Sequence, residues 1–321
     1  MTRLLILLTL PEPVRMQYYN HLRSTFPELE VSMVDHHGKV GPHIKDVDIL
    51  LTFGPMMADH VLQEADNLKW IQALGSGVDG IVDLPSLRNN VMVTNLHGIQ
   101  GAPVSEAAML AMLALSRGLP RVVHSQDQHK WDRFPARLLK DKTVGIFGIG
   151  VIAEELAPKC KAFGMTVLGI SSAARVVPGF DRMVSRDDLE QAVRELDYLV
   201  LLTPHTAATH GIVGAKVLAA MKPSSYLVNL ARGGVVDEAA LIRALREKRI
   251  AGAALDVFAQ EPLPEDHPFW GLDNVLVTPH LGGFCDVYVD QALPVVEHNV
   301  RRFLAGERGQ MLNVVKAGLP A

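Results

Sequence analysis

The sequence predicts an α/β protein built from two doubly wound parallel-sheet domains. Three observations carry that expectation. Short apolar segments rich in β-formers alternate with helical patterns along most of the chain. A glycine-rich turn sits between one such strand and the helix that follows it. The length, 321 residues, is about twice that of an ordinary domain, so two separate cores with a cleft between them are expected.

In the first half, strands are expected at Leu4 to Leu10, Asp48 to Phe53, Trp70 to Leu74 and Val91 to Leu96, with helical stretches between several of them. That is the rhythm of parallel βα units. An unbroken apolar helix pattern then runs from Ala102 to Leu119, closed by Gly118 and Pro120, and a long buried helix there suits a hinge between domains. The second series of strands is read at Thr143 to Phe147, Thr166 to Ser171, Tyr198 to Thr203, Tyr226 to Leu230, Ala253 to Phe258 and Val275 to Thr278. Continuous apolar strands of this kind are what a parallel sheet covered on both faces requires. After Pro279 the pattern turns helical, from roughly Asp286 to Leu304, and leaves a short polar tail.

Composition narrows the function classes. The formal net charge is −4 with both signs interspersed, which gives neither the basic stripe of a nucleic-acid binder nor a polybasic membrane face. The two cysteines, Cys160 and Cys285, lie far apart without CxxC or Cys/His ligand spacing. Neither a disulfide framework nor a metal site is indicated, and a reducing compartment is expected. Leu4 to Leu10 is apolar but short, and no small-residue cleavage site precedes Pro11, so it reads as a strand rather than a secretory signal. No run approaches the roughly 20 apolar residues of a membrane span. The chain reads as soluble and cytoplasmic, acting on a small molecule.

The segment from Thr143 to Ala153 is an apolar strand running into G-x-G-x-x-A and then a helix. Gly148 permits the tight turn, Gly150 lets a pyrophosphate approach the backbone, and Ala153 allows close packing of helix on strand. The phosphates would rest on the helix N-terminus, at Val151 and Ile152. The next strand ends at Ser171, roughly 20 residues on, where an Asp or Glu would grip a ribose 2′-hydroxyl. No acid stands there. Ser171, Ser172 and Arg175 instead offer hydroxyls and a cation that suit a 2′-phosphate, so NADP(H) is expected in preference to NAD(H).

Three polar residues stand where strands of the second series end, the edge at which open α/β sheets bind ligands: Arg232 in Asn229–Asp237, Glu261 in Asp256–Pro262 and His280 in Thr278–Gly283. With the glycine turn and Gly75-Ser76-Gly77-Val78-Asp79, these segments closely resemble the D-isomer-specific 2-hydroxyacid dehydrogenases over essentially the whole chain. The Gly-Ile-Ser-Ser stretch places the chain nearest the glyoxylate/hydroxypyruvate reductase branch.

The chemistry asks for the same residue types. Reducing a 2-oxo acid puts negative charge on the carbonyl oxygen, so a proton donor titrating near neutrality is wanted, and His280 supplies one. Glu261 can fix the ring tautomer and stabilise the imidazolium. Arg232 can bind the substrate carboxylate and polarise the carbonyl.

The resemblance implies more. The amides of Ser76 and Gly77 would hold the substrate carboxylate; independently of the resemblance, Phe53 and Gly54 follow a strand and are expected to face the same cleft and help shape substrate choice. Val104 would line the nicotinamide pocket, Thr203 and Pro204 would lie under the adenosine, and Ala231, Asp256 and Gly282 would border the nicotinamide. It also implies a flavodoxin-like substrate domain, residues 1–99 with 285–321, and a Rossmann nucleotide domain, 100–284. A two-fold homodimer is expected through the Pro120–Lys142 region, and the D configuration at C2 of the product. Val151 departs from the polar residue often found at its position and removes one phosphate contact. His97, His205 and His210 have no comparable company and read as surface residues. Two alternatives stand beside this reading: a dinucleotide-sensing protein of the corepressor kind, and a relative acting on formate, phosphite or a phosphorylated hydroxy acid.

Overall fold

In the computed structural model, which describes residues 1–172 and 176–318, the chain divides into two compact units. One comprises Met1–Ile99 and the segment from Asp286 onward, the other Gln100–Cys285. In chain order the first strands are β1 (Thr2–Leu7), β2 (Leu29–Val34), β3 (Ile49–Thr52), β4 (Trp70–Ala73) and β5 (Met92–Thr94). There follow β6 (Thr143–Phe147), β7 (Thr166–Ser171), β8 (Arg182–Ser185), β9 (Tyr198–Leu201), β10 (Tyr226–Asn229), β11 (Gly252–Leu255) and β12 (Val275–Val277), and last β13 (Val314–Lys316).

The first unit orders its sheet β13-β5-β4-β3-β1-β2, parallel throughout except where β13 runs antiparallel on β5. Leu4–Leu7, Ile49–Leu51 and Trp70–Ala73 are fully or almost fully buried, as expected of central strands in a parallel sheet covered on both faces. The order reverses between β1 and β3, and Phe53 and Gly54 leave the sheet at that switch point. The chain's end forms β13 instead of the expected polar tail. The Lys316 ammonium fastens it by donating to the carbonyls of Arg88, Asn89 and Val91 at 2.7, 3.0 and 2.8 Å.

The second unit orders its sheet β12-β11-β10-β9-β6-β7-β8, all parallel. Its switch point falls between β6 and β9. The glycine turn after β6 and Thr203 after β9 therefore share one edge, and the segments carrying Arg232, Asp256 and His280 leave the same edge after β10, β11 and β12. The helical run expected from Ala102 to Leu119 is two helices, Gly101–Ser116 and Leu119–Asp127. Gly118 sits between them in the left-handed region, φ 65°, and Pro120 starts the second, so the hydrogen-bond ladder stops and restarts there. Gly101–Ser116 packs against the helix Val151–Ala162 and against β10 and β11, which explains why it is apolar nearly all round.

Gly148 closes the turn with φ 103°, and a Cβ there would stand 2.5 Å from the Thr203 nitrogen and 2.6 Å from the Leu202 carbonyl carbon. Both the backbone angle and the space demand glycine. Gly148→Ala is expected to destabilise the protein by about 2–4 kcal/mol, read as a lowered denaturation midpoint. An unchanged midpoint would show that β6 and β9 separate at little cost.

Candidate active site

The strand β6 delivers Gly148 and Gly150 to the start of the helix Val151–Ala162. Gly150 has an extended backbone, and a Cβ placed on it would meet nothing within 4 Å, so open space lies beside the first turn of the helix. Ala153, fully buried, sits on the opposite side in the core with Leu156 and Ala157. Val151 is partly exposed beside it. An anion fits this cradle, because the first amides of a helix have no intrahelical acceptor. Ser171 ends β7 half-buried and Ser172 follows it exposed, while Arg175 lies outside the described residues. Thr203 is buried against Gly148, and Pro204 beyond it is exposed. His205 and His210, read as surface residues, are exposed, and they pair with each other, Nε2 to Nδ1 at 3.0 Å.

Arg232 leaves β10 in extended conformation, clamped by the Asn229 side chain, which accepts from the Ala231 amide and donates to the Arg232 carbonyl, both at 3.1 Å. The following turn lies directly on the chain after β11. A Cβ on Gly233 would stand 1.9 Å from the Phe258 carbonyl carbon. Arg232 is half-buried, with Nη1 donating to the Ala231 carbonyl at 2.7 Å.

His280 Nδ1 lies 2.7 Å from Glu261 Oε2, while Glu261 Oε1 accepts the Phe258 amide at 2.9 Å. Burial alone pushes the Glu261 carboxyl up. The hydrogen bonds from His280 and the Phe258 amide, with the positive charges of His280 and Arg232, outweigh that and hold it below the ordinary glutamate value of 4.5. Glu261 is therefore an acceptor only at neutral pH, so the His280 proton sits on Nδ1 and leaves Nε2 toward solvent or ligand.

A carboxyl depressed in the folded state stabilises it above its unfolded pKa and loses that contribution as pH falls through the folded value. Thermal midpoints of the wild type are therefore expected to fall as pH drops below about 4.5. Glu261→Gln should flatten that part of the curve, and parallel curves would show that the carboxylate carries no such linkage.

His280 has a left-handed backbone, φ 54°, uncommon for a residue with a side chain. Asp256 holds it there. The Asp256 carbonyl accepts the His280 amide at 2.9 Å, and its buried carboxylate accepts the Thr278 hydroxyl at 2.6 Å and the amides of Leu281 and Gly282 at 2.8 Å each. Sequence reasoning took Asp256 as a residue bordering the nicotinamide and binding its carboxamide; the structure adds that it anchors the loop that carries His280. Ala231 and Gly282 are buried beside these strand ends, and Val104, from the Gly101–Ser116 helix, lies 3.7 Å from where a Gly283 Cβ would be.

In the first unit, Gly75-Ser76-Gly77 follows β4. The Gly75 carbonyl accepts the Leu96 amide at 3.0 Å, and the Ser76 carbonyl accepts Asn95 Nδ2 at 2.6 Å. Among the described residues neither the Ser76 nor the Gly77 amide has an acceptor. Two adjacent N–H groups without an acceptor are the kind of donors that an anion can satisfy. Beside it Gly54 is buried so closely that a Cβ would stand 1.9 Å from the Asp79 carbonyl oxygen, and Phe53 is half-buried.

A glycine turn at the switch point of a parallel sheet, with a histidine–carboxylate pair and an arginine at neighbouring strand ends, defines a dinucleotide-binding α/β protein equipped for proton transfer. Residues 109–282 match the family described as D-isomer specific 2-hydroxyacid dehydrogenase, NAD binding domain, and the chain belongs to that family. It is 36% identical over 279 residues, 85% of its own length, to D-3-phosphoglycerate dehydrogenase of Methanocaldococcus jannaschii, and spans about half of that relative, 52%. Among solved structures, a family protein of Aeromonas salmonicida superposes with a TM-score of 0.87 at 32% identity, covering 98% of both chains. The NADPH-dependent glyoxylate/hydroxypyruvate reductase of Sinorhizobium meliloti, in complex with NADP and sulfate, does so with 0.83 at 29% identity, covering 99% of this chain and 100% of that one.

Proposed function

We propose that the chain reduces a small 2-oxo acid of the glyoxylate or hydroxypyruvate kind to the D-2-hydroxy acid, reversibly, with a nicotinamide dinucleotide. The observation that carries this reading is the 2.7 Å contact between His280 and Glu261, in the unit that also holds Arg232 and the glycine turn. His280 Nε2 gives its proton to the carbonyl oxygen as charge develops there, and takes it back in the reverse direction. Glu261 keeps the other ring nitrogen protonated and stabilises the imidazolium. Arg232 offers its fixed fork of donors to the substrate carboxylate and carbonyl, and the amides of Ser76 and Gly77 hold the carboxylate.

The residues present fit the cofactor: Gly148 closes the tight turn, Gly150 leaves the cradle beside it open, and the helix start at Val151 and Ile152 takes the phosphates. When bound, the nicotinamide supplies or accepts the hydride. NADP(H) is preferred, because the sequence at the end of β7 offers Ser171, Ser172 and Arg175 and no carboxylate that would repel a 2′-phosphate. A cytoplasmic homodimer completes the reading. Leu119, Val122, Val123 and Trp131 expose apolar surface along one short stretch, Trp131 to 90%.

The test is a spectrophotometric screen of glyoxylate, hydroxypyruvate and larger 2-oxo acids against NADPH and NADH. Oxidation with a small 2-oxo acid, with the higher kcat/KM for NADPH, is the expected result. A clearly higher value with NADH would end the cofactor preference, and no turnover with any 2-oxo acid would end the reading. Likeness to the Methanocaldococcus enzyme favours one second reading, a phosphorylated hydroxy acid as substrate, so D-3-phosphoglycerate oxidation belongs in the same screen.

A further inference from the structure

The first unit carries a brace behind the Ser76 and Gly77 amides that lies outside every motif of the sequence. Tyr288, buried at 5% exposure, opens the helix Tyr288–Leu304, and its hydroxyl donates to the carbonyl of Leu74. The next carbonyl, Gly75, takes the Leu96 amide, and the one after it, Ser76, takes Asn95 Nδ2. Three successive carbonyls are thus fixed by donors. Each peptide is planar and trans, so each pinned carbonyl turns the N–H of the following residue the opposite way. The amides so directed are those of Gly75, Ser76 and Gly77.

Glycines on both sides of Ser76 make its peptides easy to rotate, so the turn cannot hold this arrangement by its own stiffness. Order has to come from the donors. Asn95 is suited to that: it is 9% exposed, and its Oδ1 accepts the His97 amide at 3.1 Å, which fixes the amide with its NH₂ toward Ser76. The Tyr288 ring also lies 6.2 Å from the Phe53 ring, inclined at 35°. One side chain therefore touches both loops that face the substrate in the proposed function.

We propose that Tyr288 and Asn95 are positioning residues that keep the Ser76 and Gly77 amides aimed as a preformed pair of donors for the substrate carboxylate, with Tyr288 also fixing Phe53. This rests on the proposed function. Neither residue exchanges a proton or touches the reacting carbonyl, so the effect falls on substrate binding and leaves the chemical step and cofactor binding alone.

The test compares full-length wild type with Tyr288→Phe, which removes one oxygen and keeps the ring. KM for the best 2-oxo acid is expected to rise about 3- to 10-fold, with kcat and the KM for NADPH within about twofold, the loss of one net hydrogen bond's worth of binding. Hydrogen exchange in peptides covering Leu74 to Val78 is expected to quicken. Asn95→Asp, which sets a carboxylate oxygen against the Ser76 carbonyl, should raise the same KM further. An unchanged KM, or kcat and cofactor KM moving in step with it, overturns the proposal. If the wild type turns over no 2-oxo acid, the functional reading fails by itself, and the exchange rates still decide the brace: rates unaltered in Tyr288→Phe refute it.

Discussion

Replacing His280 with alanine is expected to lower kcat by about 10²- to 10⁴-fold, the usual worth of a positioned acid–base group. Only Nε2 of the ring is available for the substrate, since Nδ1 is committed to Glu261 at 2.7 Å. The loss should fall equally on kcat and kcat/KM for the 2-oxo acid, because the proton is shared only in the transition state. His280 also carries a left-handed backbone, φ 54°, so alanine mixes chemical loss with strain. His280→Asn separates the two: asparagine tolerates that conformation but has no titrating proton. Both variants should show similar turnover, and the asparagine variant a thermal midpoint nearer wild type. Stopped-flow or steady-state turnover over a range of pH reads this out. Full activity in either variant would remove His280 from the mechanism.

Much of this site was legible because chemistry and topology constrain the same positions. Gly148, Arg232, Glu261 and His280 stand after strands, where a parallel sheet presents its ligand edge, and the residue types match what hydride transfer to a carbonyl requires. What escaped the sequence has physical causes. The strands β2, β8 and β13 lie at sheet edges and are only partly buried, so no apolar run announces them. The break at Gly118 was read as the end of a helix, but a proline at the second position of Leu119–Asp127 starts a new one just as well. Asp256 anchors the His280 loop through backbone amides, and amides carry no sequence signature. Tyr288 reaches Leu74 across 214 residues, a contact that no local spacing encodes.

The second large effect is expected at Arg232. Arg232→Ala should reduce kcat/KM for the 2-oxo acid by about 10²- to 10³-fold, the scale seen when one charge-stabilising donor is removed from a site of this kind. Arg232→Lys keeps the charge on a flexible stem but loses the planar fork, so it should recover only part of the loss. The backbone at this point is clamped by Asn229 independently of the side chain, which makes either change a probe of the guanidinium rather than of the turn. The variants carry a further signature. The Arg232 charge is one of the influences holding Glu261 below its ordinary range, behind the hydrogen bonds from His280 and Phe258. Removing it should let the Glu261 carboxyl rise toward its ordinary value, so the acid limb of the rate profile moves upward and the acid loss of stability, which still begins near the unfolded value, becomes smaller in Arg232→Ala, while both stay near wild type in Arg232→Lys. Exogenous guanidinium should restore part of the alanine variant's turnover, since the space and the Ala231 carbonyl that accepts Nη1 remain. A wild-type kcat/KM in Arg232→Ala would remove the guanidinium from substrate binding, and an unshifted acid limb would show that its charge does not reach Glu261.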